Sequence, residues 1–374
     1  MPVTDAMIVA GGRGTRLQPL TYTTPKPLLP FCGAPFLSGV IRRLAAAGIQ
    51  RVFLVVGAET EPFDVLKADG AALGVEVEAV PEPEPLDTAG GVRSALDKVD
   101  GAFLVLNGDI LTDVDLPAVI EAHETASADA TLVLTRVDDT SSFGVCVREP
   151  WSGEGEQGTR IVEFAEKPAP GSLPGQDAVN AGTYVLEPAA LARFPEGRLS
   201  FERAVFPGIL EDGGHIEGFV WDGVWADLGT PDRYRVGTQM ALSGACRWPT
   251  VEAVPDRGDG VRVSPDATVA DDVHLEGPVL VQPGAVVSAG ASVGPNTVVG
   301  ADARIGVGAR VSRSVLFDDV VVGDHVAVDG LLAGFAARVD EGASLGHDVV
   351  LGDGQKIGPG QHLPDDARRP APEG

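Results

Sequence analysis

A glycine-rich stretch followed by two cations is the first feature of this sequence that could do chemistry. Residues 11–14 hold three glycines in four positions, and Arg16 and Lys26 follow them. Glycine lets the backbone bend sharply and brings its N–H groups close to a ligand, because no Cβ stands in the way. Such N–H groups form an anion-binding concavity. The pattern predicts a polyphosphate site.

Two aspartates are candidate metal ligands. A Mg²⁺ ion that bridges phosphates favours one or two carboxylates together with phosphate oxygens. Asp109 directly follows the apolar run 103–106, and Asp227 lies in the segment 225–231. Thr230 fits the N-cap of a helix that begins near Pro231 better than Asp227 does, which leaves Asp227 available for a ligand.

The first 245 residues alternate strand-like and helix-like segments. Short apolar runs at 6–10, 51–57 and 102–106 indicate strands covered on both faces, and helical patterns occur at 37–47 and 89–97. This rhythm predicts an α/β fold, a Rossmann-like and mostly parallel sheet with helices on both faces. Ligands bind such sheets at the carboxyl ends of the strands, where residues 11–16 and 107–109 both fall.

The sequence beyond Trp248-Pro249 has a different texture. An aliphatic or aromatic residue recurs at every sixth position from Val263 to Phe317, and a second phase starts at Val321. A period of six with turn residues between is the signature of a parallel β-helix. We therefore predict an α/β domain at 1–245, a linker at 246–259, a β-helix at 260–364 and a flexible tail at 365–374.

Bulk composition excludes several classes of partner. The chain carries 54 acidic and 28 basic residues, for a formal net charge of −26. A surface so acidic repels nucleic acid and anionic membranes. Three widely spaced cysteines without metal-ligand spacing indicate a reducing compartment. We expect a cytoplasmic protein without a signal peptide.

The strings at 11–21 and 24–30 resemble the signature of the sugar-nucleotide pyrophosphorylases, nucleotidyltransferases that join a sugar 1-phosphate to a nucleoside triphosphate. The segments 180–182 and 201–207 and the hexapeptide tail extend the resemblance over nearly the whole chain. It implies formation of an NDP-sugar and pyrophosphate with Mg²⁺, and a left-handed β-helix. The order of parts is most similar to the branch that uses mannose 1-phosphate and GTP.

The resemblance also implies a set of site residues. The catalytic residues are Arg16, Lys26, Asp109 and Lys167. The nucleotide is bound by Ala10, Gly11, Gly12, Gly14, Thr15, Arg16, Glu82, Asp87 and Thr88. The sugar phosphate is bound by Gly144, Glu166, Lys167, Asn180 and Gly182, and the metal by Asp109 and Asp227. Glu82 could accept hydrogen bonds from two donors of guanine, whereas Asp87 stands where many members have glycine.

Several alternatives stay open. Glucose-1-phosphate thymidylyl- or uridylyltransferase is the nearest other enzyme. A catalytically silent regulatory subunit is a second possibility. Against it, the chain retains all five charged residues expected of an active site: Arg16, Lys26, Asp109, Lys167 and Asp227. An acyltransferase in the β-helix would need a histidine base, for which His325 and His347 are available. We favour assembly of a homo-oligomer as the role of the β-helix, because stacked coils offer flat sides.

Overall fold

The computed structural model describes residues 2–137, 139–140, 143–150, 158–167, 169 and 177–370. The chain forms two compact units. The first unit contains residues 1–12 and 40–225, and the second contains residues 13–39 and 226–374. The functional division at residues 245 and 259 stays a prediction.

A nine-stranded sheet forms the centre of the first unit. Its order across the sheet is Glu76–Pro81, Arg51–Val56, Asp5–Val9, Phe103–Asn107, Ala178–Leu186, Ala130–Arg136, Ile216–Val220, Gly158–Glu166 and Gly144–Pro150. The first four strands are parallel, whereas Ala178–Leu186 pairs antiparallel with its neighbours. A short strand, Ile110–Thr112, follows Phe103–Asn107. The predicted α/β class is confirmed.

The helices follow the chain between these strands. The α-helices are Phe36–Ala46, Asp64–Ala72, Asp87–Ser94, Leu116–Ala126, Pro188–Ala192, Phe206–Glu211, Pro231–Leu242 and Pro249–Glu252. Single turns of 3₁₀-helix lie at Thr15–Leu17, Leu20–Tyr22, Lys26–Leu28, Glu61–Phe63 and Leu96–Lys98, and a π-turn lies at Phe201–Val205. One core cluster of the sheet includes Met7, Val105 and Tyr184, all of them fully buried. The apolar runs predicted as covered strands therefore lie where expected.

Register brings two chain segments to one sheet edge. Val9 lies opposite Val55 on one side and Asn107 on the other. The Gly108 N–H donates to the Val9 carbonyl at 2.8 Å. The segments that follow Val9 and Asn107 therefore leave the sheet at the same end, as parallel strands require.

Most of the second unit is a parallel β-helix. One ladder contains Val261–Val263, Val279–Val281, Thr297–Val299, Val315–Leu316, Leu332–Ala333, Val350–Leu351 and Arg368–Arg369. The next contains Thr268–Val269, Val286–Val287, Arg304–Ile305, Val321–Val322, Arg338–Val339 and Lys356–Ile357. The third contains His274–Leu275, Ser292–Val293, Arg310–Ser312 and Ala327–Asp329, with Ser344–Leu345 and His362–Leu363 as a separate pair. This arrangement is consistent with the left-handed form.

The change of phase predicted after Phe317 begins one residue earlier, because Leu316 and then Val322 are the inward residues. Val263 pairs with Val281, eighteen positions on, whereas Val298 pairs with Val315 and Val315 with Leu332, seventeen positions on in each case. Two successive coils are therefore one residue shorter than the others. The ladder also continues to Arg368–Arg369, within the segment predicted as a tail.

An aromatic cluster packs the segment 13–39 within the second unit. Trp248 is buried, stacks on Phe36 with ring centroids 5.2 Å apart, and meets Phe31 edge-on at 5.2 Å. A Cβ at Gly39 would lie 2.2 Å from Trp248 Cζ2, so the indole fills the space that a side chain would need. The Tyr234 hydroxyl donates to the Pro30 carbonyl.

Cys32, Cys146 and Cys246 are all buried, and none of them forms a disulfide with another described residue. Among the described residues, no helix combines the length and apolar character needed to cross a membrane.

Candidate active site

The glycine-rich segment begins where the strand Asp5–Val9 ends. Gly12 is exposed, and a Cβ there would meet nothing within 4 Å. Gly14 has a φ of 62°, and its carbonyl accepts hydrogen bonds from Leu17 N and Thr21 Oγ1 at 2.9 and 2.8 Å. Glycine is the residue that adopts this conformation without strain. The predicted sharp bend is therefore present at Gly14.

The second unit brings the two predicted cations to Asp227. Lys26 Nζ lies 3.8 Å from Asp227 Oδ1, and Arg16 Nη2 lies 3.9 Å from Oδ2. Arg233 adds a closer contact, at 2.7 Å from Oδ2. Lys26 and Asp227 are largely buried, whereas Arg16 is 62% exposed. Arg16 is thus held at one edge of this cluster with most of its side chain open to solvent.

Asp227 does not cap the helix Pro231–Leu242, as the sequence predicted. Thr230 is the N-cap of Pro231–Leu242, and its side chain accepts a hydrogen bond from Arg233 N. Asp227 Oδ1 is buried and has no hydrogen-bond partner within the part of the chain that the structure describes. A buried carboxylate oxygen without a hydrogen bond fits a divalent cation, which needs carboxylate ligands.

Asp109 lies two residues beyond Phe103–Asn107, where that strand leaves the sheet. A Cβ at Gly108 would approach Val9 O within 2.9 Å, so the chain passes close to the end of Asp5–Val9. The described residues contain no group of three or more His, Cys, Asp or Glu that could hold a metal ion by themselves. A phosphate-bridging Mg²⁺ does not need such a group, because phosphate and water oxygens complete its shell.

Glu82 has its carboxylate enclosed by backbone in the first unit. A Cβ at Gly11 would lie 3.0 Å from Oε2, and one at Gly91 would lie 3.0 Å from Oε1. Leu86 N donates to Oε1 at 2.9 Å. Burial raises the pKa of the Glu82 carboxyl, the Leu86 hydrogen bond opposes that shift, and Asp87 adds to it. The hydrogen bond from Leu86 N fixes the orientation of the Glu82 carboxylate.

Asp87 occupies its glycine-like position with support from two arginines. Its φ is 68°, a region that Asp tolerates better than most residues. Arg203 Nη2 lies 3.1 Å from Asp87 Oδ2, and Arg198 Nε lies 3.7 Å from it. Asp87 Oδ1 also accepts from Thr88 N at 3.0 Å. The departure from the family pattern is thus accommodated locally.

Thr88 belongs to a hydrogen-bond network with the π-turn. Its hydroxyl donates to Glu202 Oε2 at 2.8 Å and accepts from Phe201 N at 3.0 Å. Ser200 Oγ donates to the same glutamate oxygen at 2.8 Å. The sequence motif 201–207 gave no indication that Glu202 would hold Thr88, because 114 positions separate them.

The residues predicted for the sugar phosphate lie on neighbouring strands. Gly144 pairs with Glu166 across the antiparallel ladder, and Lys167 N donates to the Phe143 carbonyl at 3.0 Å. Lys167 is exposed and has a φ of 48°. The Glu166 side chain and Pro168 lie outside the described residues. Backbone pairing therefore brings Gly144 and Lys167 together.

Asn180 and Gly182 lie at a register irregularity of the strand Ala178–Leu186, beside the strand Phe103–Asn107. Asn180 Oδ1 accepts from Gly182 N at 2.9 Å, and its Nδ2 donates to the Tyr184 hydroxyl at 2.8 Å. Gly182 has a φ of 74°, and a Cβ there would lie 2.5 Å from Asn107 Nδ2. Part of the Asn180 amide is thus used to hold this irregularity of the strand, and Asn107 packs directly on Gly182.

Trp225 is a residue of this region that the predicted site left out. Its Nε1 donates to the Ala181 carbonyl at 2.9 Å, and its ring meets Phe143 edge-on at 5.6 Å. Trp225 therefore joins the segments that carry Gly144 and Gly182. Its presence in the motif 225–231 was the available signal, but the prediction from that motif named only Asp227.

His325 and His347, the candidate bases of the acyltransferase alternative, both lie in the β-helix. His325 lies at a turn with a φ of 59°. His347 Nδ1 lies 3.0 Å from Asp329 Oδ2, but Arg313 already contacts both oxygens of that carboxylate at 2.7 and 2.6 Å. Arg313 is the main reason that the pKa of Asp329 is lowered. A carboxylate held this way is a weak partner for a histidine base.

Comparison with known proteins gives two family matches. The family described as Nucleotidyl transferase matches residues 5–243, and the GMPPB C-terminal domain matches residues 275–364. The chain is 40% identical to the mannose-1-phosphate guanylyltransferase of Mycobacterium tuberculosis over 70% of its length and 72% of the relative's. It is 34% identical to the mannose-1-phosphate guanyltransferase of Hypocrea jecorina over the same shares.

The chain also resembles solved structures over part of its length. HddC from Yersinia pseudotuberculosis has a TM-score of 0.52 and 26% identity, covering 63% of this chain and 99% of HddC. A second structure of HddC, complexed with GMP-PN, matches with the same TM-score, identity and coverage.

Proposed function

Because this chain belongs to the nucleotidyl transferase family, we propose that it joins mannose 1-phosphate to the guanylyl group of GTP, giving GDP-mannose and pyrophosphate. Nucleotidyl transfer is the reaction of the family. The finer proposal is supported by two relatives, at 40% and 34% identity, that are named for mannose 1-phosphate and the guanylyl group.

The enclosed carboxylate of Glu82 is the observation that carries the choice of base. Guanine presents an N1–H and an amino group side by side, whereas uracil and thymine present a single N–H. A fixed carboxylate accepts both guanine donors, and charge-assisted hydrogen bonds of this kind are about twice as strong as neutral ones. Because Gly11 and Gly91 have no side chains, both Glu82 oxygens have room beside their backbones, and the hydrogen bond from Leu86 N holds Oε1 in place.

The transfer itself needs charge neutralisation and alignment. An oxygen of the sugar phosphate attacks the α-phosphorus, a new P–O bond forms, and the bond to the bridging oxygen of pyrophosphate breaks. Pyrophosphate leaves with that electron pair. We assign the triphosphate to the N–H groups of residues 11–15 and to Arg16 and Lys26, since positioned charge is the main contribution a protein makes to such a step.

Asp109 and Asp227 are the proposed metal ligands, and Asp227 offers its buried, unbonded Oδ1. When bound, Mg²⁺ would neutralise phosphate charge and hold the phosphates in a fixed geometry. On the sugar side, the proposal places the phosphate at Lys167 and the hydroxyls at Glu166 and Asn180. The backbone at Gly144 and Gly182 would then approach the ring closely, because neither residue has a side chain.

A pyrophosphate-release assay tests the proposal directly. Purified protein is incubated with each of GTP, ATP, UTP, CTP and dTTP against several hexose 1-phosphates, with Mg²⁺ varied. We expect GTP with mannose 1-phosphate to have the highest kcat/KM. A preference for dTTP or UTP with glucose 1-phosphate would select the alternative enzyme, and no turnover of any pair would select a silent subunit.

The role of Asp109 is tested with Asp109→Asn, which keeps the shape and removes the charge. We expect kcat to fall by at least about 10²–10³, typical of losing one preorganised charge stabiliser. The loss should persist at saturating Mg²⁺. Near-normal turnover would remove Asp109 from the site.

Self-association through the β-helix and a cytoplasmic location complete the proposal. The six-stranded ladder presents Val286 and Val321 among exposed Arg304 and Arg338 on its outer side. Light scattering measures the mass in solution, and a monomer would exclude this mode of assembly. The buried free thiols support a reducing compartment.

A further inference from the structure

The last coil of the β-helix contacts the backbone of the loop 14–18, which is proposed to bind the triphosphate. Arg368 Nη1 donates to the Arg16 carbonyl at 3.0 Å and to the Gln18 carbonyl at 3.1 Å. All three residues belong to the second unit. Arg368 lies on the strand Arg368–Arg369, which pairs with Val350–Leu351. A rigid ladder therefore carries the guanidinium that meets the loop.

Two further contacts join the same pair of segments. Thr23 Oγ1 donates to Asp353 Oδ2. Asp353 is itself fixed in the ladder, because its Oδ1 accepts from Phe335 N at 2.9 Å. A Cβ at Gly352 would lie 3.1 Å from Pro19 Cβ, so the backbones pack closely there. The segment 16–23 thus lies against the coil at 352–369.

Of the two carbonyls that accept from Arg368, that of Arg16 lies inside the 3₁₀ turn Thr15–Leu17 and that of Gln18 directly follows it. One of them belongs to Arg16, whose side chain is proposed to meet the triphosphate. Inside the turn, Leu17 N donates to Gly14 O and Gln18 N donates to Thr15 O. A single helical turn makes few hydrogen bonds, and forming it costs backbone entropy. A hydrogen-bond donor from outside the turn therefore raises the fraction of molecules in which the turn is formed.

From these contacts we infer that Arg368 is a positioning residue for nucleotide binding, acting through the backbone of the loop 14–18. The inference rests on the proposed function of Arg16. We call the two hydrogen bonds from Arg368 to this loop the clamp. Without the clamp the loop visits conformations that cannot bind the triphosphate. The apparent affinity then falls in proportion to the fraction of molecules whose loop can still bind. The β-helix then serves catalysis as well as any assembly.

The test compares Arg368→Ala and Arg368→Lys with Arg369→Ala. Arg369 is the adjacent arginine, is exposed, and takes part in the backbone pairing of the ladder. For Arg368→Ala we expect KM for the nucleotide to rise about tenfold, from the loss of a charged hydrogen-bond donor. KM for the sugar 1-phosphate and the melting temperature should stay near those of the parent. Arg368→Lys should recover part of the affinity, because its ammonium can reach a carbonyl.

A second measurement does not depend on activity. Hydrogen exchange of the peptide spanning residues 13–23 should become roughly tenfold faster in Arg368→Ala and stay unchanged in Arg369→Ala. Unchanged exchange in Arg368→Ala would overturn the clamp even if the enzyme proved inactive on every substrate pair. Faster exchange with an unchanged nucleotide KM would show a structural contact only and overturn the positioning role. A lowered melting temperature with both KM values raised would assign the effect to unfolding of the coil, against the inference.

Discussion

Replacement of Glu82 by glutamine isolates the contribution of one carboxylate to base selection. The two side chains have nearly the same shape, and no side chain at Gly11 or Gly91 crowds the new amide. Leu86 N requires an acceptor, and the amide oxygen of Glu82→Gln can supply it. The NH₂ group is then turned towards the base, where guanine also presents donors.

The magnitude follows from that mismatch. An unsatisfied donor in an enclosed site costs about 1–3 kcal/mol, which corresponds to roughly 5- to 150-fold in kcat/KM for GTP. Pyrimidine nucleotides lose less, because uracil offers a carbonyl on each side of its N–H that can accept from the amide. The ratio of kcat/KM for GTP to that for UTP should therefore fall by about tenfold or more.

The assay is pyrophosphate release with each nucleotide at saturating sugar 1-phosphate, run in parallel on Glu84→Gln. Glu84 is exposed, lies in the same segment, and loses the same charge on substitution. The pH dependence supplies a second signature. Since burial raises the pKa of Glu82, its carboxylate form is lost on acidification before that of an ordinary glutamate. The parent should lose GTP preference as pH falls through that raised pKa, and Glu82→Gln should not. An unchanged GTP-to-UTP ratio in Glu82→Gln would refute the assignment.

Two other substitutions test the sugar side of the site. Lys167→Ala should raise KM for the sugar 1-phosphate by about tenfold or more, the effect of losing a charged donor to a phosphate, with little change in KM for the nucleotide. Lys67→Ala, at an exposed lysine of the helix Asp64–Ala72, is the control, and a larger effect on the nucleotide would reassign Lys167. Gly182→Ala should destabilise the fold by about 1–3 kcal/mol in urea unfolding, because it adds a contact with Asn107 to a left-handed backbone. Gly74→Ala has the same φ of 74° and no atom within 4 Å of the new Cβ, so equal losses for both would mean that the clash contributes nothing.

Local patterns predicted the interior of both units well. From Val263 to Val311, the residues that recur at every sixth position point into the β-helix, because each coil has three sides and one inward side chain repeats on each side. The next inward residues are Leu316 and Val322, so the predicted positions Phe317 and Val321 were each off by one. The periodicity could not distinguish an inserted residue from a shorter coil at this point. That difference lies at turns, where exposed small residues of many kinds are tolerated.

Long-range contacts were beyond the reach of sequence patterns. Nothing near residues 13–39 indicates that Trp248 fills the space beside Gly39 or that Arg368 holds the Arg16 carbonyl. The motif 225–231 identified Asp227, but not its contact with Arg233. Asp87 was noted as a departure from glycine, whereas the arginines that support it lie more than 100 residues away along the chain.

The packing of Trp248 against Phe31 and Phe36 has a consequence for biosynthesis. A ribosome makes the chain from its amino terminus at about 5–20 residues per second, so the segment carrying Arg16 and Lys26 exists for tens of seconds before Trp248 emerges. During that interval Phe31 and Phe36 lack the indole on which they pack in the folded chain. The earliest part of the nascent chain is consequently among the last to reach its native environment.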